Sequence, residues 1–312
     1  MLENQPEADT ATFIDDGGIH ALIRNLKPQQ DHEIALLCAL PVPKRHLTLF
    51  RSEIQPLYEE LKRLVDETNK FSRNKIKMHI TDMFSTEDSK LREAADNARG
   101  KIFSLIAKHQ GAIVYSARRA GVARKEFERA DRDRREALSR LKTTQNRVPE
   151  LGRISQENIL ERAMKYLIAK LDMLLRHQSS SGNELYFDEI DPSALNVYRK
   201  VKSEFDDVTH EKFSVSVRNI STGETVIKTL NVSIETEQPI QDTLVRDIQI
   251  RGKEDPLIFA VDVVANSLWR HLSSLPSDAH LNVFESVKGW DLEHFTMIDR
   301  RPSALVPLID QL

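Results

Sequence analysis

Residues 13–18 read Phe-Ile-Asp-Asp-Gly-Gly and join an apolar pair, two carboxylates and two glycines near the start of the chain. This order predicts a buried strand that ends on an acidic side chain, with positive φ angles at Gly17 and Gly18 for the turn that follows. Many nucleases begin a divalent-cation site with a carboxylate in this position. A plain Asp-Gly hairpin turn explains the same residues, so other parts of the chain have to distinguish a metal site from a turn.

Composition narrows the class of protein. The 312 residues fit one large domain or two small ones, and the net charge of −3 argues neither for nor against a nucleic-acid partner. The only cysteine, Cys38, excludes an intramolecular disulfide and a Cys-rich zinc site, and its apolar neighbours predict a buried thiol. The N-terminus is polar, and no apolar run approaches the ~20 residues of a membrane span. We therefore expect a cytoplasmic protein that does not insert into a membrane.

Short strand-like segments separated by long helical stretches predict a mixed α/β domain. We expect a disordered tail at residues 1–10 and a single domain at residues 11–312, with a helical insertion at about 117–180 and an extra hairpin at about 213–234. Predicted strands cover residues 11–15, 18–25, 33–40, 112–115, 185–187, 213–219, 225–234 and 247–251, and Pro41 and Pro43 are expected to end the third. Predicted helices cover residues 46–71, 155–177, 192–205 and 255–275, and another follows a capping segment at residues 85–88 and runs to about residue 109.

A basic surplus marks the highly charged segment 121–146. One interpretation is a helix or arm that lies along a phosphate backbone, with Arg124, Lys125, Arg132 and Arg135 as nucleic-acid contacts. No aromatic residues are interleaved for base stacking, so this interpretation rests on charge alone. The alternative is a solvated helix whose charges form i,i+4 ion pairs.

Three aspartates share one pattern. Asp15 ends the first predicted strand, Asp188 follows the apolar triplet at residues 185–187, and Asp262 lies inside a long apolar helical run, near the core side of that helix. A buried carboxylate needs a partner, and Mg²⁺ or Mn²⁺ prefers carboxylate and water ligands. Two strand-end carboxylates and one on a C-terminal helix match the layout of RNase H-like nucleases, in which one or two ions act on a phosphodiester. A buried hydrogen bond to Asp262 is the alternative.

Additional candidates surround these three positions. His79 and Asp82 precede or begin a helix, where they could be a ligand pair, or His79 could shuttle a proton near the leaving group. The alternative is a surface histidine and an aspartate at a helix start. Asp16 and Glu189 adjoin Asp15 and Asp188 and are further candidate metal ligands.

The chain resembles domain-of-unknown-function family 3800, which is widespread in bacteria and phages. Its members open with Phe/Tyr-Ile-Asp-Glu-Ser-Gly, as at residues 13–18, and carry a histidine segment after the first long helix, as at residues 78–82. A later strand ends in an acidic residue, as at residues 186–189. A helix reads Leu-Gln-Leu-Ala-Asp-X-X-Ala-Gly, as at residues 258–266. The resemblance extends over about residues 11–275.

This resemblance implies an RNase H-like mixed sheet flanked by helices and a metal-dependent nuclease that hydrolyses DNA or RNA, often encoded near mobile elements or phage defence systems. It implies Asp15, Asp188, Asp262 and His79 as catalytic residues, with one or two Mg²⁺ or Mn²⁺ ions. The family's Glu, Ser, Gln and Gly are replaced here by Asp16, Gly17, Phe259 and Asn266. Loss of the Ser and Gln weakens the hydrogen-bonded support of a metal site.

Two other functions fit the same residues. The fold could serve as a catalytically inactive module that binds nucleic acid or a protein partner in a defence or regulatory complex, because a fold does not determine a function. A metal-dependent phosphotransfer or DNA-joining enzyme is the third hypothesis. The apolar helix at residues 155–177 could contribute to a homodimer or pack in its own core.

Overall fold

The computed structural model describes residues 9–18, 32–71, 75–144, 159–188, 196–202, 210–218, 225–233, 243–252, 254–282, 284–287, 290 and 305–306. The strands are β1 (Thr10–Gly17), β2 (Ile34–Pro43), β3 (Ile113–Arg119), β4 (Asn183–Phe187), β5 (His210–Arg218), β6 (Thr225–Ser233), β7 (Val245–Ile250) and β8 (Leu305–Val306). The helices are α1 (Lys44–Phe71), α2 (Ile80–Ser85), α3 (Ser89–Lys108), α4 (Ala120–Thr144), α5 (Ile159–His177) and α6 (Pro256–Ser274). Residues 196–202 are also helical, and Phe284–Val287 form a 3-10 helix.

The main sheet is mixed and has the strand order β7-β4-β1-β2-β3-β8. Strands β1, β2 and β3 are antiparallel neighbours, whereas β4 runs parallel to β1 and β7 runs parallel to β4. The two-residue strand β8 extends the edge beyond β3. The predicted α/β class, with a mixed sheet flanked by helices, is therefore confirmed. Strands β5 and β6 pair antiparallel as a separate two-stranded sheet, as predicted for residues 213–234.

Successive side chains of the central strands point to opposite faces of the sheet, and each face has its own hydrophobic core. On β1 and β2, Phe13, Leu36 and Cys38 face a core with α1, α3 and α6, and Ile14 and Leu37 face a second core with α5. Strand β2 is apolar almost throughout because both of its faces are covered. Helix α5, inside the predicted helical insertion, is thus one of the layers that cover the sheet.

Strand β2 passes through Pro41 and ends at Pro43, so the prediction that the strand ends before Pro41 is wrong. Pro41 pairs with Thr12 and Pro43 with Thr10. A proline lacks only the N–H donor, and the carbonyl of Pro41 still accepts a hydrogen bond from Ala112 N–H at 3.2 Å. The predicted strand at residues 18–25 and the predicted tail lie, apart from residues 9, 10 and 18, outside the described residues.

Only one of the two glycines after Asp16 has the positive φ angle that was predicted for a turn. Gly18 has a positive φ of 72°, as expected, whereas Gly17 is the last residue of β1 and is absent from the described positive-φ residues. The indole of Trp269 lies over both, and its Nε1–H donates to Ile34 O at 3.1 Å. A Cβ at Gly17 would lie 3.1 Å from Trp269 Cδ1. Close approach of the tryptophan therefore favours a glycine at this position.

A buried lysine lies between α5 and β3. Lys170 is 2% exposed, and its Nζ donates to Tyr115 O at 2.6 Å and to Asn282 Oδ1 at 3.3 Å. Burial lowers the pKa of Lys170 to about 7, because the ammonium form is poorly solvated there. Between this value and the pKa of an unfolded lysine, the unfolded chain binds the additional proton. The free energy of unfolding therefore rises with pH across that window.

We expect Lys170→Met to change this pH dependence. The free energy of unfolding of the variant, minus that of the wild type, should fall by about 2 kcal/mol between about pH 7 and pH 9. The reason is that only the wild type loses a buried charge in this range. Urea unfolding of both proteins across this range measures the difference, and titration of all other groups cancels between them. Lys62→Met, at an exposed position of α1, is the matched control. A constant difference between Lys170→Met and the wild type would contradict the prediction.

None of the helices in the described ranges has both the length and the apolar character that crossing a bilayer requires.

Candidate functional site

The directions of β1 and β4 bring two of the predicted aspartates side by side. Ile14 pairs with Phe187 in the parallel register, and the Asp188 N–H donates to Ile14 O at 3.4 Å. Asp15 follows Ile14, and Asp188 follows Phe187. Because partner residues of parallel strands share a face, the two aspartates lie on the same side of the sheet. The stacking of Phe13 on Tyr186, with ring centroids 5.3 Å apart, identifies the same face two residues earlier.

Helix α6 supplies the third aspartate. The helix begins where the Asp255 side chain accepts a hydrogen bond from Leu257 N–H at 2.9 Å, with Pro256 at the first helical position. It packs across β1 and β2 on the face that carries Asp15. Asp262 is consequently buried, at 9% exposure, against 8% for Asp15. The prediction that Asp262 lies on the core side of its helix is confirmed.

Electrostatic repulsion connects these carboxylates. Burial raises the pKa of Asp15 well above its usual range, and the negative charges of Asp262, Asp16 and Asp188 raise it further, in that order. Asp16 lies on the face of β1 opposite to Asp15. Its strand-pairing partner is Leu37, which belongs to the second core. There burial, and then the charges of Asp16 and Asp15, raise the pKa of the Tyr198 hydroxyl. Asp15 is therefore the point at which the acidic side chains interact most strongly.

Asp262 also has a structural role. Its Oδ2 accepts a hydrogen bond from the backbone N–H of Ile80 at 2.9 Å, at the start of α2. His79, the residue that precedes this helix, makes no side-chain cap of its own. Asp262 thus satisfies an N–H group that a helix N-terminus leaves unpaired. The alternative in which a buried hydrogen bond satisfies Asp262 is observed, and the other lone pairs of the carboxylate remain compatible with a cation.

His79 lies against Asp262, with 3.4 Å between Nδ1 and Oδ1, and its side chain is 32% exposed. His79 is thus beside one of the three aspartates, and its role as a ligand or proton shuttle stays a prediction. Asp82 instead accepts a hydrogen bond from Lys77 N–H at 3.2 Å within its own loop and lies in the first turn of α2. This contact corresponds to the alternative of an aspartate at a helix start. Glu189 lies outside the described residues.

The donor chemistry of Asp15, Asp188 and Asp262 fits a hard divalent cation, because all three are carboxylates and two of them are buried. Their side chains do not converge on a common point as the ligands of a bound metal ion do. Within the described ranges, no group of three or more His, Cys, Asp or Glu side chains is placed to hold a metal ion. The carboxylates are near enough to repel one another, and Asp262 directs its oxygens to Ile80 and His79.

The basic segment is a helix, α4, and two of its described arginines form ion pairs within the helix. Arg124 Nη1 lies 2.7 Å from Glu128 Oε1, and Arg129 lies 3.9 Å from Asp133, both at i,i+4 spacing. Lys125, Arg132 and Arg135 are exposed. These contacts are those of the solvated-helix alternative, and the phosphate-binding role of α4 stays a prediction.

Sequence reasoning missed a group of arginines near the end of this site. Arg92 and Arg99 of α3 and Arg270 of α6 line one cleft together with Asn266, which lies one turn beyond Asp262. The spacing of residues 262, 266 and 270 along one side of α6 was a signal available in the sequence, but the contribution of α3 depends on helix packing. No family model, curated protein or solved structure matches this chain. Function is therefore inferred from the aspartates and their surroundings.

Proposed function

We propose that this chain is a metal-dependent nuclease that hydrolyses phosphodiester bonds of DNA or RNA and has an RNase H-like fold. The observation that carries the proposal is Asp15, a buried carboxylate whose strongest electrostatic neighbours are other carboxylates. Natural proteins rarely bury like charges together without a functional reason, and a divalent cation would relieve the repulsion.

The sheet supports the fold part of this proposal. Three antiparallel strands are followed by two strands parallel to the first, and α6 crosses the face that carries Asp15. Acidic residues near the end of β1 and directly after β4, with a third on α6, support a layout like that expected for RNase H-like nucleases. Membership of domain-of-unknown-function family 3800 is proposed on the same residues.

In the proposed site, Asp15, Asp188 and Asp262 would hold one or two Mg²⁺ or Mn²⁺ ions, and Asp16 would contribute charge from the opposite face of β1. A bound ion of this kind activates water and stabilises the negative charge that develops on the phosphate. His79 would hold or release a proton close to the leaving group, because its ring is half-exposed and its Nδ1 is oriented by Asp262.

The test is a cleavage assay on end-labelled DNA and RNA with Mg²⁺, with Mn²⁺ and with a chelator. We expect cleavage by the wild type only with a metal, and none by Asp15→Ala or Asp262→Ala, because each variant removes a ligand. Asp66→Ala, at an exposed position of α1, is the matched control and should cleave normally. Activity that persists in both site variants would overturn the assignment.

A second function has its own support. Asp262 is already satisfied by Ile80 N–H, and the described residues contain no finished metal-ligand group. Both observations favour a catalytically inactive module that binds nucleic acid or a protein partner. Metal-independent binding of an oligonucleotide, without cleavage under any metal, would support this alternative. A role in a defence complex and a homodimer stay predictions.

A further inference from the structure

A cleft of about 710 Å³ lies between α3 and α6, near Asp262. Arg92 and Arg99 line it from α3, Asn266 and Arg270 line it from α6, and Phe84 contributes an aromatic wall. The Nδ2 of Asn266 donates to Thr81 Oγ1 at 2.5 Å, so this side chain connects α6 to α2 at the end of the cleft nearest the aspartates. The cleft and the proposed metal site thus share helix α6.

Two of the three guanidinium groups of the cleft contact neighbouring side chains. The Arg270 guanidinium lies 4.8 Å from the ring centroid of Phe84, and Arg99 lies 3.4 Å from Ser267 Oγ and 3.3 Å from Asp96. Among the described residues, no ion pair joins Arg92 or Arg270 to a carboxylate, and both are exposed. Glu93 and Asp96 also line the cleft, so three guanidinium groups face two carboxylates.

We propose that this cleft, here called the arginine cleft (Arg92, Arg99 and Arg270), binds the phosphodiester backbone of a nucleic-acid strand. The proposal rests on the proposed nuclease function and names how its substrate is held. Planar guanidinium groups bind phosphate oxygens through two parallel N–H donors, which makes arginine the residue best suited to this ligand. Stacking on Phe84 orients Arg270 before the phosphate arrives and leaves its outer N–H groups available.

The spacing along α6 relates the cleft to the aspartates. Asp262, Asn266 and Arg270 are four residues apart on one side of the helix, which separates the first from the last by roughly 12 Å along the axis. Along the axis of a duplex, that distance corresponds to about three or four nucleotides of one strand. A strand that follows α6 would therefore place one phosphate at the aspartates and a later one at Arg270.

The chemistry of the cleft favours recognition of the backbone over recognition of bases. Of its three aromatic side chains, Phe84 lies under the Arg270 guanidinium, Trp290 is buried at 4% exposure, and the His271 ring is only partly exposed, with Nε2 2.8 Å from Ser286 O. These contacts limit the aromatic surface on which bases could stack, and contacts with phosphates carry no sequence information. Binding should be independent of sequence and strongly dependent on salt.

The experiment measures binding without cleavage. Fluorescence anisotropy of a labelled single strand of about 20 nucleotides, longer than common single-strand sites, is recorded with the full chain in a chelator. We expect Arg92→Gln/Arg270→Gln to bind at least about tenfold more weakly and to reduce the slope of log affinity against log salt by about 1.4, the value for two phosphate contacts. The double variant Lys62→Gln/Lys101→Gln removes the same charge from exposed positions and should bind within about twofold of wild type.

Three outcomes would overturn the proposal that the arginine cleft binds a nucleic-acid strand. The first is an affinity of Arg92→Gln/Arg270→Gln equal to that of the lysine control. The second is an equal or larger loss in Arg132→Gln/Arg135→Gln, which would assign binding to α4. The third is competition by polyglutamate as strong as that by unlabelled oligonucleotide, which would indicate an acidic-peptide site. Circular dichroism confirms that each variant is folded.

Failure of the cleft and failure of the nuclease function give different results. If the nuclease function is wrong, Asp15→Asn still binds the oligonucleotide and the arginine variant still loses affinity, but no protein cleaves. If the cleft is wrong, the arginine variant binds and cleaves as the wild type does.

Discussion

Asp15→Asn is expected to abolish metal-dependent cleavage and to make the folded protein more stable. The variant keeps the size of the side chain but removes the charge that a metal ion requires, so we expect activity to fall by about 100- to 1000-fold or more. At neutral pH, removal of a buried charge that is repelled by Asp262, Asp16 and Asp188 should raise the free energy of unfolding by about 1–2 kcal/mol, or the Tm by roughly 2–8 °C.

The pH dependence of this gain follows from the direction of the pKa shift. The pKa of Asp15 is raised in the folded state, so the folded protein binds more protons than the unfolded chain above the ordinary carboxyl pKa. The stability of the wild type therefore falls as pH rises through that window, and asparagine does not titrate. The stability advantage of Asp15→Asn should accordingly be absent in acid and grow toward neutral pH. Thermal unfolding by circular dichroism across this range measures it.

Metal ions should reverse the order of stability. An ion that binds the folded wild type stabilises it by about 2.7 kcal/mol at a concentration 100-fold above its Kd, and Asp15→Asn should gain much less. Asp66→Asn, exposed on α1, is the isosteric control and should respond to Mg²⁺ as the wild type does. Destabilisation by Asp15→Asn at neutral pH, or equal stabilisation of both proteins by Mg²⁺, would refute the repulsive carboxylate site.

Gly18→Ala should destabilise the fold by about 2–4 kcal/mol, since a positive φ is costly for any residue with a Cβ and the new methyl group is overpacked. The Cβ would lie 2.5 Å from the backbone oxygen of Ile34 and 2.9 Å from Trp269 Nε1. The same Ile34 oxygen accepts the Trp269 hydrogen bond, so the methyl group would also displace the indole from β1. Urea denaturation gives the free energy of unfolding.

Gly100→Ala is the matched control for this substitution. Gly100 lies in α3, and a Cβ there meets no atom within 4 Å. Alanine favours a helix over glycine, so this variant should be more stable than the wild type by about 0.5–1 kcal/mol. If Gly18→Ala had a stability within error of the wild type, Trp269 would not fix the end of β1 as the contacts indicate.

Local patterns predicted most of the helices and strands of the described chain. Apolar periodicity predicted α1, α5 and α6, and Asp88 and Asp255 accept the backbone hydrogen bonds expected of helix caps. Errors occurred where a tertiary contact replaced a local rule. Strand β2 continues through Pro41 because the carbonyl of Pro41 still has a partner, and the indole of a distant helix packs closely over Gly17.

The sequence by itself determined that Asp15 lies near the end of a buried strand, that Asp188 follows another and that Asp262 lies on the core side of a helix. These statements depend on the two-residue period of strands and the 3.6-residue period of helices, which neighbours along the chain express. Only the tertiary structure decided that Asp188 lies beside Asp15, that Asp262 holds the start of α2, and that arginines from α3 and α6 line one cleft. Strand order, register and helix packing join residues more than 150 positions apart, and no local period encodes those pairings.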